Sequence, residues 1–180
     1  MKANKNKELP FDYLRECFDY NESSGLITWK IRPQSHFPTQ KGCRVFNSRL
    51  SGKVAGYAHN RGYLAVNVNG YTYLVHRVCW ALSTGEWPAE DVDHINGIKD
   101  DNRLVNLRVV TRGVNSRNQK LRSNNSTDCM GVTRDNNSFR VRVGTEGKRV
   151  SLGNFKTLDE AVEVRKNAES SYGFHENHGR

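Results

Sequence analysis

The sequence predicts an α+β fold built from three consecutive parts. Three observations support this prediction: β-rich runs near the amino terminus, a strand–turn–strand–helix pattern in the centre, and a carboxyl-terminal stretch in which apolar and polar residues alternate before a helix. The chain of 180 residues is long enough for one ordinary domain or two to three small modules. The predicted segments are a β-rich amino-terminal region at 1–72, a central core at 73–118, a linker at 119–129, and a three-stranded antiparallel sheet packed on one helix at 130–175.

The amino-terminal region contains a short predicted helix, a strand and a hairpin. Leu26–Lys30 is the strand, and the β-rich runs Tyr63–Val68 and Tyr71–Val75 flank Asn69 and Gly70. An Asn-Gly pair between two such runs is the strongest short-range signal for a two-residue hairpin. Residues 31–50 mix proline, glycine and basic side chains without periodicity, so we predict a loop there that could order on a partner.

The central core begins with a helix and continues as two strands and a second helix. Apolar residues recur at helical spacing from Val75 to Leu82, and Gly85 ends that helix. Strand-like Val92–Ile95 is followed by a turn-rich loop, a second strand at Leu107–Val110 and a polar helix that starts near Thr111.

The distribution of charge favours a nucleic-acid partner. The chain has 28 basic and 19 acidic residues, a formal net charge of +9. Residues 73–111 are acidic on balance, with 4 basic and 6 acidic residues, whereas the segments on both sides are basic. No apolar run approaches the roughly 18–20 residues that a membrane-spanning helix needs. The four cysteines form no Cys-x-x-Cys pair, so we expect no structural zinc and, without a secretory signal, an intracellular protein.

The central core carries the residues suited to chemistry. Asp93 and Asn115 offer the hard oxygen ligands that Mg²⁺ or Mn²⁺ prefers. The imidazole of His94 can take a proton from water at neutral pH and so create a nucleophile for a phosphodiester. The alternative is that Asp93 caps a turn, that His94 is a surface or core histidine whose hydrogen bonds are satisfied within the fold, and that the asparagines occupy turns. That alternative must account for four residues at once.

This segment resembles an HNH endonuclease motif of the ββα-metal kind found in phage-encoded and homing endonucleases. The three signature letters are His94, Asn106 and Asn115, with spacings of 12 and 9 residues, and Asp93 precedes the histidine. The His76-Arg77 pair ahead of a helix is also similar to that family, and the resemblance covers residues 73–118.

The resemblance implies a role for each matching residue. His94 would be the general base, Asp93 and Asn115 would hold one Mg²⁺ or Mn²⁺ ion, and Asn106 would brace the loop that bears His94. The residues that would contact phosphate, or would contact the side chains of the site and hold them in place, are Asn102, Arg103 and Asn118. We expect His76 to form structural hydrogen bonds and not to bind metal.

The carboxyl-terminal stretch has strand-like alternation. If the apolar residues between Phe139 and Leu152 face the helix, the intervening polar residues share the opposite, open face of the sheet, which forms a basic platform for DNA. Those residues are Arg140, Arg142, Arg149 and Ser151. The stretch resembles an AP2-type DNA-binding domain from Gly131–Arg134 to Thr157–Ala161, and this resemblance adds Arg134 to the predicted DNA contacts. The stretch lacks the tryptophans that plant-type AP2 domains have on the sheet, so no base preference is carried over.

Together these features predict a monomeric, metal-dependent endonuclease that nicks double-stranded DNA, in the cytoplasm of a bacterial host if a phage encodes it. The amino-terminal region would also contact the DNA. One alternative is a non-catalytic, sequence-specific DNA-binding protein with an inactive HNH fold. Another is an RNA-binding protein that stacks bases on Tyr63, Tyr71 and Tyr73, although these tyrosines are more simply explained as hairpin packing.

Overall fold

The structure, a computed structural model, describes residues 8–117, 121, 124–145, 148–174 and 178. The chain is mixed α+β and divides into two compact units, Met1–Val109 and Val110–Arg180. No helix among the described residues is both long and apolar enough to cross a membrane.

The first unit combines short helices with three small sheets. Its strands pair as β1 with β2, as β3 with β4 and β5, and as β6 with β7. The elements in chain order are α1 (Phe11–Cys17), β1 (Phe18–Asn21), β2 (Leu26–Trp29), α2 (Gln40–Leu50), β3 (Tyr57–Ala58), β4 (Leu64–Val68), β5 (Tyr71–Leu74), α3 (Val75–Thr84), β6 (Asp91–His94) and β7 (Leu107–Val110), which ends at the boundary of the units.

One hydrophobic core joins the predicted amino-terminal region to the predicted central core. Buried Leu14, Ile27 and Val66 belong to the same apolar cluster as Val78 and Leu107. The predicted boundary between residues 72 and 73 therefore does not separate two cores. This packing fixes the amino-terminal elements against the strands that carry the candidate catalytic residues.

The loop prediction for residues 31–50 was wrong for residues 40–50, because helix α2 occupies Gln40–Leu50. The helix starts at Thr39, whose side chain accepts a hydrogen bond from the Gly42 backbone N–H at 3.1 Å. Its inner face contains buried Cys43 and partly buried Phe46, whose ring meets Trp29 edge-on at 5.0 Å. In the sequence, two prolines precede the helix and the outward-facing Val45 interrupts the apolar pattern. The helical spacing of Cys43 and Phe46 is therefore not evident there.

The predicted hairpin and the helix that follows it are confirmed. Asn69 and Gly70 both have positive φ, 54° and 82°, as the tight turn between β4 and β5 requires. Helix α3 begins at Val75, directly after β5, and ends at Gly85, whose φ of 88° is the left-handed value typical of a residue that closes a helix.

The second unit contains a short helix, a three-stranded sheet and a longer helix. Strand β9 lies between β8 and β10, and both pairings are antiparallel. Val132, Val141 and Ala161 form the buried centre between the sheet and the longer helix. The elements are α4 (Arg112–Arg117), β8 (Val132–Asp135), β9 (Ser138–Thr145), β10 (Lys148–Phe155) and α5 (Leu158–Ser171).

The described part of the predicted linker packs onto the second unit. Thr127 is buried and its hydroxyl donates to the Val132 carbonyl at 2.9 Å, so ordered structure begins before Met130. Part of this predicted linker, residues 118–120 and 122–123, lies outside the described residues.

The sheet of the second unit has one apolar face and one polar face. Val141 and Val143 are buried, whereas Arg142 between them is exposed and pairs across the strands with Ser151. Arg149 is also exposed, and Arg140 forms an ion pair with Asp135. Arg134 pairs in register with Phe139, its guanidinium 5.7 Å from that ring, so it lies on the opposite face from Arg140 and Arg142.

Candidate active site

Strands β6 and β7 place the central candidate residues at one end of a two-stranded sheet. Asp93 and His94 are the last two residues of β6, and Asn106 immediately precedes β7. The Ile95 backbone N–H donates to the Asn106 carbonyl at 2.8 Å, which closes the base of the loop between the strands. Helix α4 follows β7, so the chain has the predicted order of strand, loop, strand and helix.

The ring of His94 is buried and held by Asn102. His94 Nε2 lies 3.1 Å from Asn102 Oδ1, while Asn102 Nδ2 donates to the Asp100 carbonyl at 3.2 Å. Because the amide nitrogen is committed to Asp100, its oxygen is the acceptor and His94 Nε2 carries the proton. Burial lowers the pKa of His94 below its ordinary 6.5, so the ring is neutral. Nδ1 is then the nitrogen available as a base.

Asn106 ties together the two ends of the loop that follows His94. Its side-chain oxygen accepts from the Asn96 backbone N–H at 2.9 Å, and its side-chain nitrogen donates to the Asp101 carbonyl at 2.7 Å. The residue is 5% exposed, so both hydrogen bonds are shielded from water. These are the contacts that a bracing residue would make.

The β1–β2 hairpin supports the same loop from outside the predicted central core. The Tyr20 hydroxyl donates to the Asn102 carbonyl at 2.7 Å. Gly25, in the hairpin turn, packs so closely that a Cβ atom there would lie 2.6 Å from the Arg103 backbone nitrogen. No local pattern in the sequence indicates that this turn contacts residues about 80 positions later in the chain.

Asp93 carries an ion pair that the sequence did not reveal. Arg108 on β7 donates to Asp93 Oδ2 through Nε at 3.2 Å and Nη2 at 2.9 Å. Two paired strands explain the contact, but the motif alone does not distinguish Arg108 from a surface arginine.

The two predicted metal ligands have the oxygen-donor chemistry that a hard divalent cation prefers. Asp93 has a carboxylate, and Asn115 on α4 has a side-chain amide oxygen. Within the described ranges no group of three or more His, Cys, Asp or Glu side chains could hold a metal ion. Asp93 lies in the first unit and Asn115 in the second.

Two further rings pack against His94. His76 on α3 meets it edge-on with ring centroids 5.0 Å apart, and Tyr63 lies 5.9 Å away. Burial, then the negative charge of Asp93, raises the pKa of Tyr63. His76 Nδ1 is buried without a hydrogen-bond partner in the described part of the chain, so the expected structural hydrogen bond is not seen at this atom.

We predict that stability falls at acid pH because of His76. Burial first, then repulsion from His94 once that ring is protonated and from Arg77, lowers the pKa of His76 from 6.5 to about 3. Below pH 6.5 the unfolded chain takes up a proton that folded His76 refuses until about pH 3, at a cost of about 1.4 kcal/mol per pH unit. Urea unfolding from pH 7.5 to 4.5 measures this slope.

The control separates His76 from the other titrating groups. His76→Gln should lower the slope by about 1.4 kcal/mol per pH unit, while His59→Gln, at an exposed position, should leave it unchanged. An equal slope in the wild type and His76→Gln would refute the assignment.

The sequence predicts that two residues of the central core, Arg103 and Asn118, contact DNA, and the structure describes only the first. Arg103 donates to Asp101 through Nε at 2.7 Å and Nη2 at 2.6 Å, and this pairing lowers the pKa of Asp101 to about 2. Its guanidinium is thus paired with a carboxylate on its own loop. Asn118 lies outside the described residues.

Comparison with known proteins gives one match, to a protein family. Residues 73–117 match the model of a family described as HNH endonuclease. No curated protein and no solved structure matches the chain. A nuclease domain implies a DNA substrate, and HNH nucleases generally use divalent metal ions. The match covers residues 73–117, a quarter of the chain, and supports a nuclease enzyme.

Proposed function

We propose that the protein is a metal-dependent endonuclease that nicks duplex DNA as a monomer. The observation that carries this proposal is a neutral His94 with its Nε2 proton directed to Asn102, beside Asp93, inside the segment that matches the HNH family. That arrangement supplies a base and an oxygen ligand next to each other.

His94 has the role of general base. With Nε2–H bound by Asn102, Nδ1 takes a proton from water, and the water oxygen attacks phosphorus. The bond to the leaving 3′ oxygen breaks, and this oxygen takes its proton from solvent, so the products are a 5′-phosphate and a 3′-hydroxyl. Asn106, Tyr20 and Gly25 hold the loop that presents Asn102 to the imidazole.

Asp93 and Asn115 are the proposed ligands of Mg²⁺ or Mn²⁺. Asn115 enters the proposal through its place in the matched segment and through the oxygen-donor chemistry of its amide. When bound, the ion would polarise the scissile phosphate and stabilise charge on the leaving oxygen.

The polar face of the second unit is proposed to target the enzyme to DNA in the manner of an AP2-type domain. Arg142, Arg149 and Ser151 lie on this face, with Arg140 beside them. Arginines on an open sheet face can bind phosphates and base edges. Because Arg134 lies on the Phe139 side of the sheet, it is a weaker candidate for this contact.

One observation favours the second candidate function, a DNA-binding protein with an inactive HNH fold. Asp93 Oδ2 is held by Arg108, and the side chain of Asp93 is only 12% exposed, so a cation must compete with a guanidinium. Metal affinity therefore discriminates between the two candidates.

Calorimetric titration of the 180-residue chain with Mn²⁺ tests the proposed site. We expect one Mn²⁺ per chain, and loss of either ligand in Asp93→Ala or Asn115→Ala should weaken binding at least about tenfold. Asp91→Ala removes an exposed carboxylate from the same strand and should change the affinity by less than about threefold. Equal affinities in all four proteins, or no binding to the wild type, would support the inactive candidate.

A further inference from the structure

The first unit contains a long stretch with positive charges only. Residues 26–85 include 8 lysines and arginines and no aspartate or glutamate. The net charge of the chain does not show this separation, because the acidic residues concentrate on either side of the stretch. A surface built from this stretch has no carboxylate of its own to neutralise its cations.

Helix α2 displays several of these cations on one face. Its inner face contains Cys43, Phe46 and Leu50, which are buried or half-buried. Residues on the other face are exposed: Lys41, Arg44, Val45, Ser48 and Arg49. The helix is therefore amphipathic with a basic outer face, which we call the α2 basic face and define by Lys41, Arg44 and Arg49.

The cations of the α2 basic face are not committed to carboxylates. Across the described ranges none of the three forms an ion pair. By contrast, Arg103 and Arg108 near the candidate active site are each paired with an aspartate. An arginine already paired inside the protein must break that contact to bind an anion, whereas the α2 basic face need not.

The α2 basic face is held firmly in the first unit. Asn47, on the inner side of the helix, accepts from the Arg32 backbone N–H at 2.9 Å and donates to the Arg32 carbonyl at 2.9 Å. Arg32 itself is 4% exposed, and within the part of the chain that the structure describes its guanidinium donates to the neutral groups of His36, Tyr13 and Asn69 and forms no ion pair. Its charge therefore adds to the positive potential beneath the helix.

The spacing of the cations fits the backbone of a duplex. Lys41 and Arg49 are eight residues apart, or about 12 Å along a helix at about 1.5 Å per residue. The major groove of B-DNA is about 12 Å wide, so residues at the two ends of the helix can reach the phosphates on both of its edges. The exposed Val45 lies among the cations and offers an apolar contact to sugars or thymine methyl groups.

We propose that the α2 basic face is a DNA-docking surface that binds duplex phosphates through Lys41, Arg44 and Arg49. This proposal rests on the proposed endonuclease function and adds a contact outside both the matched segment and the carboxyl-terminal sheet. It also explains why the helix exposes unpaired cations on a firmly packed element.

The test is the salt dependence of duplex binding, measured by fluorescence anisotropy with a labelled duplex and a chelator to prevent cleavage. The test variant is Lys41→Gln/Arg44→Gln/Arg49→Gln, in the full chain. The control is Arg15→Gln/Lys156→Gln/Lys166→Gln, which removes the same charge from exposed positions on other elements. Circular dichroism melting checks that both variants are folded.

We expect the test variant to bind at least about tenfold more weakly at 0.1 M salt, with the slope of log affinity against log salt smaller by about 2–3. The control should change the affinity by less than about threefold. If the test variant matches the control, the α2 basic face is not a docking surface. If the wild type binds no duplex, the proposed endonuclease function fails as well, so the two failures are distinguishable.

Discussion

Replacement of His94 by alanine is expected to slow DNA cleavage about 10²–10⁴-fold, which is the usual contribution of a general base. The imidazole is neutral and its Nε2 proton is held by Asn102, so no other residue in this segment is prepared in the same way to take a proton from water. Single-turnover cleavage of plasmid DNA at saturating Mg²⁺ measures the effect.

Duplex binding separates a chemical role for His94 from a structural one. His94→Ala should bind DNA in the presence of a chelator as tightly as the wild type, because the phosphate contacts are proposed to lie elsewhere. His59→Ala, at an exposed position, should cleave at the wild-type rate. A His94→Ala protein that is folded and keeps more than about a tenth of the rate would remove His94 from the role of base.

Replacement of Gly25 by alanine is expected to damage both stability and cleavage. Its φ is 73°, and an added Cβ would lie 2.6 Å from the Arg103 nitrogen and 2.7 Å from the Asn102 carbonyl carbon. The hairpin turn and the loop must then separate, at a total cost of about 2–4 kcal/mol. Because Asn102 positions the His94 ring, the cleavage rate should fall about tenfold or more.

Gly52 provides a matched control for this steric argument. It has nearly the same φ, 74°, but an added Cβ would meet nothing within 4 Å. Gly52→Ala should therefore cost only about 1 kcal/mol in urea unfolding and leave cleavage unchanged. Equal effects of the two substitutions would show that contact with the Asn102 loop does not matter.

Local sequence signals predicted the elements in which neighbouring residues decide the structure. Asn69 and Gly70 specify their hairpin because few other residues adopt positive φ at both turn positions. The order of β6, β7 and α4 was visible from short apolar runs and the turn residues between them. His94 and Asn106 were selected through the resemblance of this segment to the HNH family.

Contacts between distant parts of the chain could not be predicted in this way. Helix α2 was missed because its stability depends on packing against Trp29 and Arg32, which compensates for a polar and partly unfavourable composition. The Tyr20 and Gly25 contacts with Asn102 depend on tertiary packing that no local pattern encodes. The pairing of Asp93 with Arg108 likewise required the register of two strands.

Incubation of the wild-type protein with supercoiled plasmid tests the central claim most directly. With Mg²⁺ or Mn²⁺ we expect relaxed circles, the product of a nick, and with a chelator no product. Linear product in the presence of metal would mean that both strands are cut. Unchanged supercoiled DNA in every metal, by a protein that binds the same plasmid, would contradict the claim that residues 73–117 form a working nuclease site.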